Sequence, residues 1–352
     1  MVFHLGALRY LAEHHAMEQV DRISSVSGGS LLVGLILQCC GMRWPGSTEF
    51  LTKTYPELRR RLCASSLQWA AARKLLNPLN WRYALSRANL LSQALRSEWG
   101  VQARLADLPV TPVWSINGTT AETGKRFRFK ADSIGDYVLG HARPLELPLA
   151  DALAVSAALP GGFGPLVLEA GHFDWERRPN WDDPVDATRP VVPMFQRVHL
   201  YDGGVYDNLG LEPYFDAGLG APKDVGRFIL VSDAGAPLSS GFAYKALNPF
   251  RLKRVADIMS DQSRALRVRT FVQYLKRHPN AGAYLYIGSR TEGGTEVAER
   301  AHPAQFDTTL RRLAPHEFDA LSDHGRHVAS AVHAEFGIHA ISPRPTSEGQ
   351  TP

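Results

Sequence analysis

Two short segments carry side chains of the right type and spacing for acyl chemistry. The first is Ile23-Ser24-Ser25-Val26-Ser27-Gly28-Gly29-Ser30-Leu31-Leu32, where a brief apolar strand runs into small residues and then into a helix. A serine on such a tight strand-to-helix turn has its hydroxyl exposed as a nucleophile. The neighbours must be small because the two backbones approach closely, and Ser25, Gly28 and Gly29 meet that need. A helix start at Ser27 also turns the Gly28 backbone N–H and the positive end of the helix dipole toward a developing oxyanion. A plain flexible turn with a helix cap fits the same ten residues, and the local pattern does not choose. The second segment, Val198-His199-Leu200-Tyr201-Asp202-Gly203-Gly204, delivers a carboxylate from a strand end into a Gly-Gly turn. Partial burial there would raise the Asp202 pKa toward that of a base able to take a serine proton. An Asx turn, bonding backbone only, is the competing reading.

The elements that position these residues follow from periodicity. Helices are predicted over 3–13, 30–40, much of 51–103 with a break at Asn77-Pro78, 149–158, 246–275 and 319–336. Strands are predicted over 21–26, 111–117, 126–130, 198–201, 227–232 and 283–287, with 126–130 the hairpin neighbour of 111–117. That alternation predicts an α/β fold of three layers, a mostly parallel central sheet with helices on both faces. Residues 1–340 read as one domain, with an irregular insertion over about 171–196 and a disordered tail over 341–352.

Composition narrows the class. Of 352 residues, 44% are hydrophobic and 21% charged, and the formal charge is only +4. That is ordinary for a protein with a real core and argues against nucleic acid as partner. Cys39, Cys40 and Cys63 lack metal-ligand spacing and suit a reducing compartment, so a cytoplasmic location is expected, peripheral to a membrane at most. The apolar window 23–42 is diluted by serine and glycine and reads as a buried strand-turn-helix rather than a span.

Taken in order, Phe3-His4-Leu5-Gly6-Ala7-Leu8, Ser25-Val26-Ser27-Gly28-Gly29-Ser30, Ser156-Ala157-Ala158-Leu159-Pro160-Gly161-Gly162-Phe163 and Asp202-Gly203-Gly204-Val205-Tyr206-Asp207-Asn208 resemble the patatin-like phospholipase family over roughly residues 2–235. The resemblance implies a Ser27–Asp202 dyad with no histidine and no metal or organic cofactor. It implies hydrolysis of acyl esters of lipids through an acyl-serine intermediate. It also implies an acyl pocket walled by Leu159, Pro160 and Phe163, with Ser25, Gly29, Gly203 and Gly204 supporting the two turns. Family members open with a strand and a glycine-rich loop that supplies most of the oxyanion donors. Here the match begins in the following helix, so a sheet lacking its first strand is expected, with Met1 an internal residue of a longer protein. A degenerate lipid- or membrane-binding homologue is the rival reading.

Other clusters have chemical readings of their own. Arg59, Arg60 and Arg61, Arg73, Lys74 and Arg82, with Leu58, Leu62, Leu67, Trp69, Leu75, Leu76 and Trp81, suit either a lipid-facing basic helix or a solvated one. His278, His302, His316 and His324 are the late histidines that a Ser-His-Asp triad would draw on, but none stands in a glycine-flanked turn. Asp323, His324 and His327 offer a helical metal spacing without an evident third ligand, and Asp233 reads as structural.

Overall fold

A computed structural model describes residues 1–84, 86–144, 146–158, 164–179, 187–238, 240–241, 250–290, 306 and 309–338. Leu159, Pro160 and Phe163, His302 and the 341–352 tail therefore lie outside the described residues. The organising strand is β2 (Val113–Thr120). One edge of it pairs antiparallel with β3 (Arg126–Phe129). The other edge is shared: β1 (Arg22–Ser25) runs parallel to its first half and β9 (Arg197–Asp202) antiparallel to its second.

From β3 the sheet continues through β4 (Ile134–Asp136), β5 (Gly140–Ala142), β7 (Trp175–Arg177) and β8 (Arg189–Val191), and from β9 to β6 (Leu166–Glu169). Every pairing in this sheet except β1–β2 is antiparallel, which corrects the mostly parallel sheet expected from the sequence. The reason is connection length. Residues 121–125, 130–133 and 137–139 link successive strands, and such turns can only reverse the chain. A separate small ribbon, β10 (Phe215–Asp216) with β11 (Ala221–Pro222), is antiparallel for the same reason. Parallel pairs arise where helices intervene, between β1 and β2 and between β12 (Ile229–Asp233) and β13 (Gly282–Tyr286). The 171–196 stretch is not simply irregular either, because it contributes β7 and β8.

The helices follow the predicted stripes. They are α1 (Val2–Glu13), α2 (Gly28–Cys39), the short α3 (Ser47–Glu49), α4 (Tyr55–Ala64), α5 (Leu67–Arg73), α6 (Arg87–Glu98), α7 (Leu149–Ser156), the short α8 (Gly204–Asp207), α9 (Phe250–Arg277) and α10 (Pro315–Phe336). Apolar almost all round, α2 is buried from Ser30 to Leu37 and rests on α7, where Gly34 faces Leu153. Helices α1 and α10 cross at a pair of glycines. A Cβ at Gly6 would overlap Ser322 O, and one at Gly325 would overlap Phe3 O. No helix among the described residues is long and apolar enough to cross a membrane, and the 23–42 window divides between β1 and α2.

A cleft of about 2380 Å³ lies between β1, α1 and β12. Ion pairs from Arg22 to Asp224 (3.1 Å) and from Arg227 to Asp21 join the starting end of β1 to the segment that leads into β12. Ser27 and Asp202 both line the cleft.

Candidate active site

Strand β2 brings the two segments together. Its edge places Ser25, the last residue of β1, opposite Ile116, and Asp202, the last residue of β9, opposite Gly118. Two strands running in opposite directions thus end facing one another, with Asn117 between them. The close approach demands small residues. A Cβ at Gly118 would stand 2.8 Å from Val155 Cγ1, and one at Gly203 would stand 2.5 Å from Asn117 O.

Ser27 caps α2 with φ 51° and ψ −124°, a left-handed backbone that a non-glycine residue rarely holds. Its hydroxyl makes no capping bond to the helix. The strained turn is held by its own backbone: Ser27 N donates to Ser156 O at 3.0 Å and to Ser156 Oγ at 3.1 Å. Ser156 Oγ joins Ser30 Oγ, which joins Ser25 Oγ, each at 2.8 Å, and Trp114 Nε1 donates to Ser25 Oγ at 2.8 Å. From the sheet side Asn117 Nδ2 donates to Ser25 O and to Ser24 Oγ, each at 2.9 Å, and Asn117 Oδ1 accepts from Arg126 at 2.9 Å. Gly28 packs against the first residue of the chain, where a Cβ would stand 3.1 Å from Met1 N.

Asp202 is buried at 2% exposure. Its Oδ1 accepts the Gly204 N–H at 2.7 Å, and its main-chain carbonyl accepts from Thr119 Oγ1 at 2.9 Å. Oδ2 is buried with no hydrogen-bond partner, one of only two such side-chain atoms among the described residues. Burial pushes the Asp202 pKa up to about 7, while the Gly204 N–H and the nearby Ser27 side chain moderate the rise. Ser27 is thus close enough to act on the carboxyl, although a hydrogen bond to Oδ2 is not completed. Asp233, at the end of β12 in the same cleft, is the contrast. Arg264 at 2.8 Å, Tyr284 Oη at 2.6 Å and the Gly235 N–H at 2.8 Å satisfy it, as suits a structural residue.

The structure therefore brings Ser27, Gly28, Asp202, Gly203 and Gly204 together, with Ser25 and Gly29 behind the turn. Ser156 stood in one of the matched segments as part of the acyl-pocket wall, but residue-pattern reasoning missed Asn117 and Trp114 as members of the site. Their signal is an alternation of polar residues (Ser115, Asn117, Thr119) in a strand buried along almost its whole length. His4 lines the cleft, but its Nδ1 bonds Ser232 Oγ at 2.7 Å, and burial drives its pKa well below the usual histidine value. His324 Nε2 bonds Ile287 O at 2.7 Å and Asp323 pairs with Arg9 at 3.2 Å, so the metal spacing noted in the sequence faces other partners. Arg59 is forked onto Asp319 at 2.8 and 2.6 Å, and Arg60 and Arg61 share Glu57. Their charge is largely answered within the protein.

The site sets a strained serine at a helix start near a buried strand-end aspartate, and comparison with known proteins gives the family. The family model for patatin-like phospholipases matches residues 1–214, and the chain belongs to that family. A search of curated proteins finds no match. Among solved structures, the chain is similar to human GIVD cytosolic phospholipase A2, with a TM-score of 0.53, 14% identity and 97% of this chain covered against 58% of that one. The same protein in complex with methyl gamma-linolenyl fluorophosphonate gives a TM-score of 0.51 at 14% identity, with 97% and 56% covered. The chain thus spans a little over half the length of those structures, and the likeness is one of fold.

Proposed function

We propose that the chain is a lipid acyl hydrolase working through a Ser27–Asp202 dyad. The observation that carries this reading is the buried, unpartnered Asp202 Oδ2 beside Ser27. A carboxylate with a pKa near 7 is half ionised near neutrality, and its free oxygen lacks only a proton donor such as the serine hydroxyl. In the first half-reaction Asp202 takes the hydroxyl proton while Ser27 Oγ bonds to the acyl carbonyl carbon. The tetrahedral intermediate collapses, the alcohol leaves with the proton from Asp202, and the acyl group stays on Ser27 as an ester. In the second, Asp202 takes a proton from water as the water oxygen attacks the ester carbon; the tetrahedral intermediate collapses, Asp202 returns the proton to Ser27 Oγ, and the fatty acid leaves. The Gly28 N–H at the start of α2 faces the developing oxyanion.

The test is an alkyl fluorophosphonate probe together with a short p-nitrophenyl ester. Labelling and turnover by the parent chain, lost in Ser27→Ala, support the reading; equal labelling of both proteins overturns it. A non-catalytic lipid-binding role is the second reading. It is favoured to the extent that Gly28 N–H acts without further oxyanion donors, since losing one donor typically costs about 10²–10³ in kcat. Lipid binding without labelling supports it.

A further inference from the structure

We propose that the outward face of residues 67–83 is a docking platform for an anionic lipid surface. The segment comprises α5 and two 3₁₀ turns, Lys74–Leu76 and Pro78–Tyr83. It exposes large apolar side chains together with its cations. Trp69, Leu76, Leu79 and Trp81 are 70%, 82%, 76% and 65% exposed, beside exposed Arg73 and Arg82, while Asn80 is the one polar side chain of the segment that is buried. Asn80 donates to Lys74 O at 2.8 Å and exchanges two 3.0 Å bonds with Gln93. Asn77 Oδ1 accepts the Leu79 N–H at 3.1 Å, and Trp81 Nε1 donates to Leu75 O at 2.9 Å. The backbone is thus pinned by polar bonds in a shape that presents large apolar groups to water, which is unfavourable unless something covers them.

Charge selects the cover. Between Ser66 and Ala84 the sequence holds Arg73, Lys74 and Arg82 and no Asp or Glu. Arg73 reaches Glu98 only at 3.4 Å, and Arg82 lies over the Tyr83 ring. Tryptophan and leucine tips rimmed by cations match the boundary of an anionic bilayer. The inner side of the same segment, through Gln68, Ala71, Ala72 and Leu75, lines the cleft that holds Ser27 and Asp202. Choosing a lipid surface over a protein one rests on the acyl-hydrolase reading. The basic lipid contact therefore falls on 67–83 rather than on Arg59, Arg60 and Arg61.

The experiment is flotation of the full chain with phosphatidylcholine vesicles, with and without phosphatidylserine. The parent chain is expected to float with the anionic vesicles. Leu76→Ser with Leu79→Ser should weaken that affinity about tenfold per leucine, and these side chains are too exposed for their loss to open a cavity. Lys74→Glu with Arg82→Glu should weaken it by about fivefold per residue and abolish the preference for phosphatidylserine. Fluorophosphonate labelling and hydrolysis of a soluble ester should stay at the parent level in both variants. Unchanged vesicle affinity in the leucine variant overturns the proposal, as does a parent chain that ignores vesicles and instead forms a leucine-dependent dimer. Absence of labelling alone sinks the hydrolase reading without touching the vesicle result.

Discussion

Replacing Asp202 by asparagine should destroy activity and stabilise the fold, and the stabilisation should appear only as the pH rises. The folded-state pKa is about 7 against an ordinary 3.8 because the carboxyl is buried and Oδ2 has no donor. Below pH 4 the group is protonated in both folded and unfolded chains and contributes nothing. Between about 4 and 7 the unfolded chain releases the proton and the folded one keeps it, so stability falls. Above 7 the full cost of an ionised buried carboxylate is present, about 4 kcal/mol at ~1.4 kcal/mol per tenfold. The asparagine side chain has the same shape as aspartate and cannot ionise. Urea unfolding of parent and Asp202→Asn should therefore give similar free energies near pH 4 and diverge to a few kcal/mol in favour of the variant by pH 8. Ester hydrolysis by the parent should rise with pH through a midpoint near 7 and be absent in the variant. A variant less stable than its parent at pH 8, or a difference that does not change with pH, would refute the account of this buried carboxyl.

Other substitutions probe the frame around the dyad. Ser27→Gly should raise stability by about 1 kcal/mol in thermal or urea unfolding, because glycine relieves the positive φ, and should abolish labelling. Asn117→Ala removes the amide that holds Ser25 O; kcat should fall roughly tenfold to a hundredfold, with KM and the pH midpoint unchanged, as steady-state profiles would show. Gly203→Ala drives a methyl onto Asn117 O, so ester turnover should collapse and the melting temperature should drop. Gly325→Ala forces α1 and α10 apart and should cost about 3 kcal/mol in urea unfolding.

Much of this site was legible in the residues themselves. The turns at Ser27 and Asp202 were legible as places where small side chains are required because backbones nearly touch. Each alone also fitted a plain turn, and only the ordered set of motifs chose between the readings. The 126–130 hairpin and the helical stripes on α1, α2 and α10 were legible from local pattern. Sheet direction was not. The alternation of strand and helix in β1–α2 and β12–α9–β13 is real and gives parallel pairs, but the short links around β3, β4 and β5 outweigh it. Nor does sequence distance reveal that β1 and β9 share one edge of β2, so Asn117 gave no sign of its place between them. Trp69, Leu76 and Trp81 read as half of an amphipathic pattern, and only the fold shows them facing water.

The glycine crossing of α1 and α10 ties together parts of the chain that are far apart in sequence. Gly28, the residue after Ser27, rests on the start of α1, and α1 owes its seat to a helix more than three hundred residues later. Loosening that late helix would therefore be felt as a slower reaction before it was felt as unfolding. On the proposed dyad, the chemistry has a remote structural keystone, and damage to that late helix would masquerade as a defect at Ser27 and Asp202.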